Sequence, residues 1–157
     1  MSERPCPYLI RADDVAEAET GFHHPWNPLS HVIGTHLSKL GGLERTGVSL
    51  ARLPPGKESF AYHSHHCEEE WIYILSGRGM AEIDGVQYAV TGGDFMAFPA
   101  PSVAHHLRNP FDADLVYLMG GERRPVEIAD FPRLNRRMVR IRDKVEVFPM
   151  DASKKFP

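Results

Sequence analysis

The 157-residue chain is 42% hydrophobic and 25% charged, with a formal net charge of −3. This composition excludes a disordered chain and suits one domain, 1–157, with a full core. The charge argues against nucleic acid or an anionic membrane as a partner, and no apolar run reaches the roughly 18 residues that cross a bilayer. No signal-peptide core is present, so a cytoplasmic setting is expected. Cys6 and Cys67 match neither a disulfide framework nor a zinc spacing. Thirteen Gly and thirteen Pro predict many turns between short elements, hence an all-β architecture.

Residues 1–46 are weakly patterned and read as an N-terminal arm packed on the domain. RADDVAEA starts a short helix with Asp13 or Asp14 as cap, HHPWNPLS is irregular, and HVIGTHLSKLGG supplies a short strand. From Gly47 strands succeed one another: GVSLARL, SFAYHSHH, EWIYILS, then GMAEIDGVQYAV. That last segment reads as a hairpin turning at Asp84-Gly85, the dipeptide suited to the positive φ angles of a type I′ turn. DFMAFPAP, HHLRN and DLVYLMGG add three strands, about eight in all, the pattern of a sandwich or barrel. Residues 121–157 form a basic extension; from Arg123 to Lys144 it carries Arg123, Arg124, Arg133, Arg136, Arg137, Arg140, Arg142 and Lys144 against only Glu127, Asp130 and Asp143. It is expected to be a solvated face or dimer contact, or else a patch that attracts anions to the mouth of a site through Arg136 and Arg137.

The chemistry-bearing stretch is HSHHCEEEWIYILSGRG. His63 and His65, one residue apart, leave a strand on one face. After a turn at His66-Cys67-Glu68, Glu70 heads the row Glu70, Ile72, Ile74, opposite Trp71, Tyr73 and Leu75. A bare carboxylate at the end of an apolar row is expensive to bury unless a cation neutralises it. If His105 and Leu107 of HHLRN face inward, His105 joins His63, His65 and Glu70. Three imidazoles and a carboxylate suit one divalent transition metal, Fe, Mn, Ni, Cu or Zn, and leave coordination positions open. Glu69 is the rival to Glu70. Glu68 and Glu69 read as solvated turn residues, and His66 and His106, on the opposite faces, as structural residues or as supports behind the ligands. His23, His24, His31 and His36 in the arm are assigned no role.

These residues resemble the motifs of the cupin superfamily, G-x5-H-x-H-x(3,4)-E-x6-G and G-x5-P-x-G-x2-H-x3-N. His63, His65, Glu70 and Gly77 fit the first, with six residues rather than five after Gly56. Gly93, Pro99, His105 and Asn109 follow the second, with Pro101 in the usual glycine position and one extra residue before His105. The resemblance covers residues 47–120. It implies a double-stranded β-helix, or jelly-roll barrel, with an N-terminal arm and a C-terminal strand extension. It further implies a metal held by His63, His65, Glu70 and His105, and a homodimer. The chain also resembles a group of single-domain bacterial cupins, some labelled sugar-phosphate isomerases by similarity.

The open coordination positions favour a metal-dependent enzyme acting on a small molecule, and two reactions remain open. An isomerase would polarise a carbonyl while a base moves a proton. A dioxygenase would use an apolar pocket of Ile72, Ile74, Met96, Phe98 and Leu107. The alternative is a non-catalytic cupin that binds a metal or ligand as a sensor. No catalytic acid or base is identified.

Overall fold

The computed structural model describes residues 6–152; the first five residues of the arm and the last five of the extension lie outside them. The arm contains helix α1 (Ala12–Glu17), strands β1 (Thr20–Phe22) and β2 (Val32–Thr35), and helix α2 (Leu37–Leu40). The central region carries β3 (Thr46–Leu53), β4 (Ser64–His65), β5 (Glu70–Ser76), β6 (Arg78–Ile83), β7 (Val86–Thr91), β8 (Phe95–Phe98), β9 (His105–Arg108) and β10 (Leu115–Glu122). The extension adds β11 (Val126–Phe131), β12 (Arg136–Ile141) and β13 (Lys144–Pro149). Among the described residues no helix is long and apolar enough to cross a membrane.

The strands form three sheets, ordered β1-β2-β3-β10-β5-β8, β13-β12-β11-β4 and β7-β6-β9. Together they make the jelly-roll arrangement of a double-stranded β-helix. Inward rows meet in one core: Leu53, Ile74, Leu107, Leu115 and Tyr117 are each at most 2% exposed. On β5 the expected alternation holds, with Ile72 and Ile74 buried and Tyr73 and Leu75 exposed. The β6–β7 turn has positive φ at both Asp84 (49°) and Gly85 (77°), as a type I′ turn requires.

The arm is part of the sheet rather than a layer upon it. β2 pairs antiparallel with β3, and β1 with β2. Thr35 Oγ1 donates to the Val15 carbonyl (2.7 Å), fastening α1 to β2. Helix α1 is capped by Arg11, not by Asp13 or Asp14. Both acids sit in the first turn, which suits the positive end of the helix, and the Asp14 carboxylate accepts the Arg11 N–H at 3.0 Å.

Two motif residues acquire structural reasons. Gly77 has φ +85°, and a Cβ there would lie 2.2 Å from the Asp114 carbonyl oxygen, so a glycine lets β5 turn into β6 against the neighbouring chain. Asn109, 1% exposed, donates through Nδ2 to the Leu53 and Ala113 carbonyls (2.8 and 2.7 Å) and accepts the Phe111 N–H (3.1 Å). It closes the loop between β9 and β10.

Candidate metal centre

The strand expected over 59–66 is reduced to the two residues of β4. Their partners come from the extension, with His65 opposite Ala129 and Ser64 opposite Asp130 on β11. His63 exchanges backbone hydrogen bonds with His105, which brings β9 alongside. Glu70 opens β5 opposite Phe98 of β8. The Phe98 ring stacks on the His105 imidazole, centroids 3.7 Å apart, and sets its plane. The loop from Pro99 to Ala104, whose Ala100–Pro101 peptide is cis, is tied to His65: Ser102 Oγ accepts the His65 N–H, and the Ser102 N–H donates to the His65 carbonyl.

Four side chains from three strands and the residue before β4 thus converge. His63 Nε2 lies 3.1 Å from His65 Nε2; Glu70 Oε2 lies 2.8 Å from His105 Nε2, 3.2 Å from His65 Nε2 and 3.9 Å from His63 Nε2. The four donor atoms all fall within 4.8 Å of one another. His63 Nδ1–H donates to the Ala61 carbonyl (2.7 Å) and His105 Nδ1–H to the Val103 carbonyl (3.2 Å). Carbonyls only accept, so both rings are held as tautomers whose Nε2 lone pair points inward. Facing lone pairs and a carboxylate at these separations repel unless a proton or a cation lies among them. Three imidazole nitrogens and one carboxylate oxygen suit a first-row divalent ion, so these residues fit the metal that the resemblance implies.

Charge in the cluster follows from burial. Burial holds His63 down at about 3 despite the pull of Glu70. Burial also acts to lower His65, but the carboxylates of Glu127 and Glu70 outweigh it and raise the ring to about 9. For Glu70, burial acts upward, and hydrogen bonds with His105 and His65 override it, holding the carboxyl well below the usual carboxylate range. These directions favour a His65 imidazolium beside a Glu70 carboxylate.

Glu127 has no counterpart in the sequence reading, where it is merely an acid among arginines. It is 1% exposed, and its carboxylate accepts the backbone N–H groups of His66 (3.1 Å) and Glu68 (2.6 Å), with Cys67 at 3.5 Å. Its Oε1 lies 3.5 Å from His65 Nδ1. It cradles the turn between His65 and Glu70, which keeps both donors in place. Glu68 is not a solvated turn residue: its carboxylate pairs with Arg140 and accepts the Arg124 N–H (2.6 Å). Glu69 is exposed, and Glu70 points into the cluster.

A cavity of about 20 Å³ adjoins the cluster, lined by His63, Glu70 and His105 together with Ser59, Phe60, Ile72, Leu107, Tyr117 and Met119. Of the five residues expected to form an apolar substrate pocket, Ile72 and Leu107 reach this cavity. Ile74, Met96 and Phe98 do not line it; all five belong to the buried core, where facing strands fill the space between them. Phe60 and Met119 also wall a second cavity of about 160 Å³, bounded by Phe22, Val32 and Leu50. His24 and Trp26 of the arm stand in an aromatic cluster with Phe60 and Phe131, and the Phe131 ring stacks on His63 at 5.7 Å. The arm therefore backs Phe60 and Phe131, the rings that flank His63, a role its weak periodicity did not signal.

The two arginines expected to draw anions differ. Arg137 is engaged: its Nε and Nη2 donate to Asp130 at 2.6 and 2.7 Å, so Asp130 absorbs its charge. Arg136 lays its guanidinium over the Trp26 ring at 4.5 Å. His66 and His106 are placed as structural residues, against Asp130 and Glu58.

A family model described as a cupin domain matches residues 49–121. A protein of Acidithiobacillus ferrooxidans with a provisional sugar phosphate isomerase name is 31% identical, with a TM-score of 0.91 over 96% of this chain and 97% of its own. A sugar phosphate isomerase from a cupin superfamily, from Silicibacter pomeroyi, is 26% identical with a TM-score of 0.77, covering 88% and 89%. An uncharacterized protein of Methanocaldococcus jannaschii is 32% identical over 65 residues, 41% of this chain. The chain spans half the length of that curated relative.

Proposed function

This chain belongs to the cupin superfamily, and on that premise we propose that it is a metal-dependent enzyme acting on a small molecule at His63, His65, Glu70 and His105. The observation that carries the reading is the convergence of three imidazole Nε2 atoms and one carboxylate, with two rings locked by backbone carbonyls. A divalent ion bound there would supply Lewis acidity toward a substrate oxygen. Glu70 balances its charge, and Phe60, Leu107 and Met119 give the site an apolar wall.

For the reaction we favour isomerisation of a sugar-phosphate-type substrate. The support is similarity to two structures bearing that activity in their names, at 31% and 26% identity. Arg136 is then the residue of the pair that attracts the anionic group, since Arg137 is neutralised by Asp130. The apolar lining of the small cavity favours dioxygenase chemistry as a second reading, and its volume of about 20 Å³ favours a non-catalytic binder as a third.

Metal analysis of protein purified without added metal tests the central reading. About one equivalent per chain is expected, lost in Glu70→Ala. Interconversion of aldose and ketose phosphates without oxygen uptake supports the isomerase; oxygen consumption by the iron form supports the dioxygenase. Failure to retain any divalent metal refutes the whole proposal.

A further inference from the structure

Tyr117 lies on the inward row of β10, opposite Ile74 of β5, and is 1% exposed. Its hydroxyl has no hydrogen-bond partner among the described residues. A buried hydroxyl without an acceptor is unfavourable, and a phenylalanine would fill the same space without that penalty. The residue also lines the cavity shared with His63, Glu70 and His105, whose other walls include the apolar Phe60, Ile72, Leu107 and Met119. At about 20 Å³ this space admits one water-sized group.

We infer that the Tyr117 hydroxyl donates a hydrogen bond to a ligand oxygen seated in this cavity beside the metal-binding side chains. The inference rests on the metal reading above. A phenol keeps its proton at neutral pH, so the hydroxyl is available as a donor. Its position therefore selects ligands whose inserted atom is an acceptor, most strongly an anionic oxygen such as a carboxylate, enolate or alkoxide. Ligands presenting a methyl group at that point leave the hydroxyl unpaired and are disfavoured.

The test uses cobalt(II)-loaded protein and fluoride, an acceptor of the size the cavity admits, followed by visible absorption. Tyr117→Phe should retain the cobalt content of the wild type but bind fluoride about tenfold more weakly or worse, as expected for loss of a hydrogen bond to a charged acceptor. Metal-free Tyr117→Phe should melt at or above the wild-type temperature. Equal fluoride affinity in the two proteins overturns the inference, as does absence of fluoride binding by the cobalt-loaded wild type. A lower melting temperature for the metal-free variant also overturns it, since the hydroxyl would then have an internal partner. If the wild type takes up no cobalt, the metal reading falls and this inference with it; if it takes up cobalt and binds fluoride but the variant matches it, only the role of Tyr117 falls.

Discussion

Glu127→Gln isolates the support beneath the candidate metal centre. The substitution preserves volume but replaces one acceptor oxygen by an NH2 group, which must then face a backbone N–H of the 66–68 turn. The carboxylate receives two short hydrogen bonds, from His66 at 3.1 Å and Glu68 at 2.6 Å, at a site 1% exposed. Hydrogen bonds to a charged group contribute about 1.5–3 kcal/mol each and neutral ones about 0.5–1.5, so the variant should lose about 2–4 kcal/mol. Urea unfolding of the metal-free protein reads this loss directly. A second consequence concerns His65, whose Nδ1 faces the same carboxylate at 3.5 Å. Loss of an outer partner of a ligating histidine lowers metal affinity by roughly 10–100-fold, measurable by competition with a chromophoric chelator. A variant within about 0.5 kcal/mol of wild type, the range of a bland surface change, with unchanged metal affinity would refute the reasoning.

Two further outcomes follow from other buried polar groups. Asn109→Ala strands the Leu53 and Ala113 carbonyls and the Phe111 N–H, and should cost about 2–4 kcal/mol; urea midpoints unchanged from wild type would contradict it. For Asp130, the hydrogen bonds from Arg137, with a smaller contribution from His66, hold the carboxyl below its ordinary range against the effect of burial. Its folded value is depressed, so its stabilisation is complete above the unfolded value of about 4 and disappears as pH falls through the folded value. Asp130→Asn should therefore be destabilised by about 1–2 kcal/mol at pH 7, discounted because Arg137 is partly solvated. The gap to wild type should close on acidification below the unfolded value, and a gap independent of pH would count against the ion pair.

Much of the site was legible along single strands. The one-residue spacing of His63 and His65, the alternation that places Glu70 at the head of the Ile72–Ile74 row, and the Asp84-Gly85 turn are local properties, and side-chain direction follows from strand period alone. Gly77 was legible as a motif residue, but its reason, a carbonyl at 2.2 Å from any Cβ, belongs to a distant segment. His105 stood in between, since its spacing to Asn109 marked it while its inward direction awaited the pairing of β9 with β6 and the bridge to His63.

What the chain determined by itself was the all-β pattern and the common face of His63 and His65 with Glu70 at the head of an apolar row, because period and residue chemistry act over a few positions. Tertiary structure alone decided that Glu127 cradles the 66–68 turn, that Arg137 spends its charge on Asp130, and that Ile72 and Leu107, but not Ile74, Met96 or Phe98, line the cavity beside the cluster. It also decided that Trp26 and His24 of the arm join the aromatic wall, and that Tyr117 brings an unpaired hydroxyl to the cavity. Each of these depends on register between strands far apart in sequence, such as β4 with β11. A one-residue slip in such a pairing turns every side chain to the opposite face, so no local reading could have supplied them.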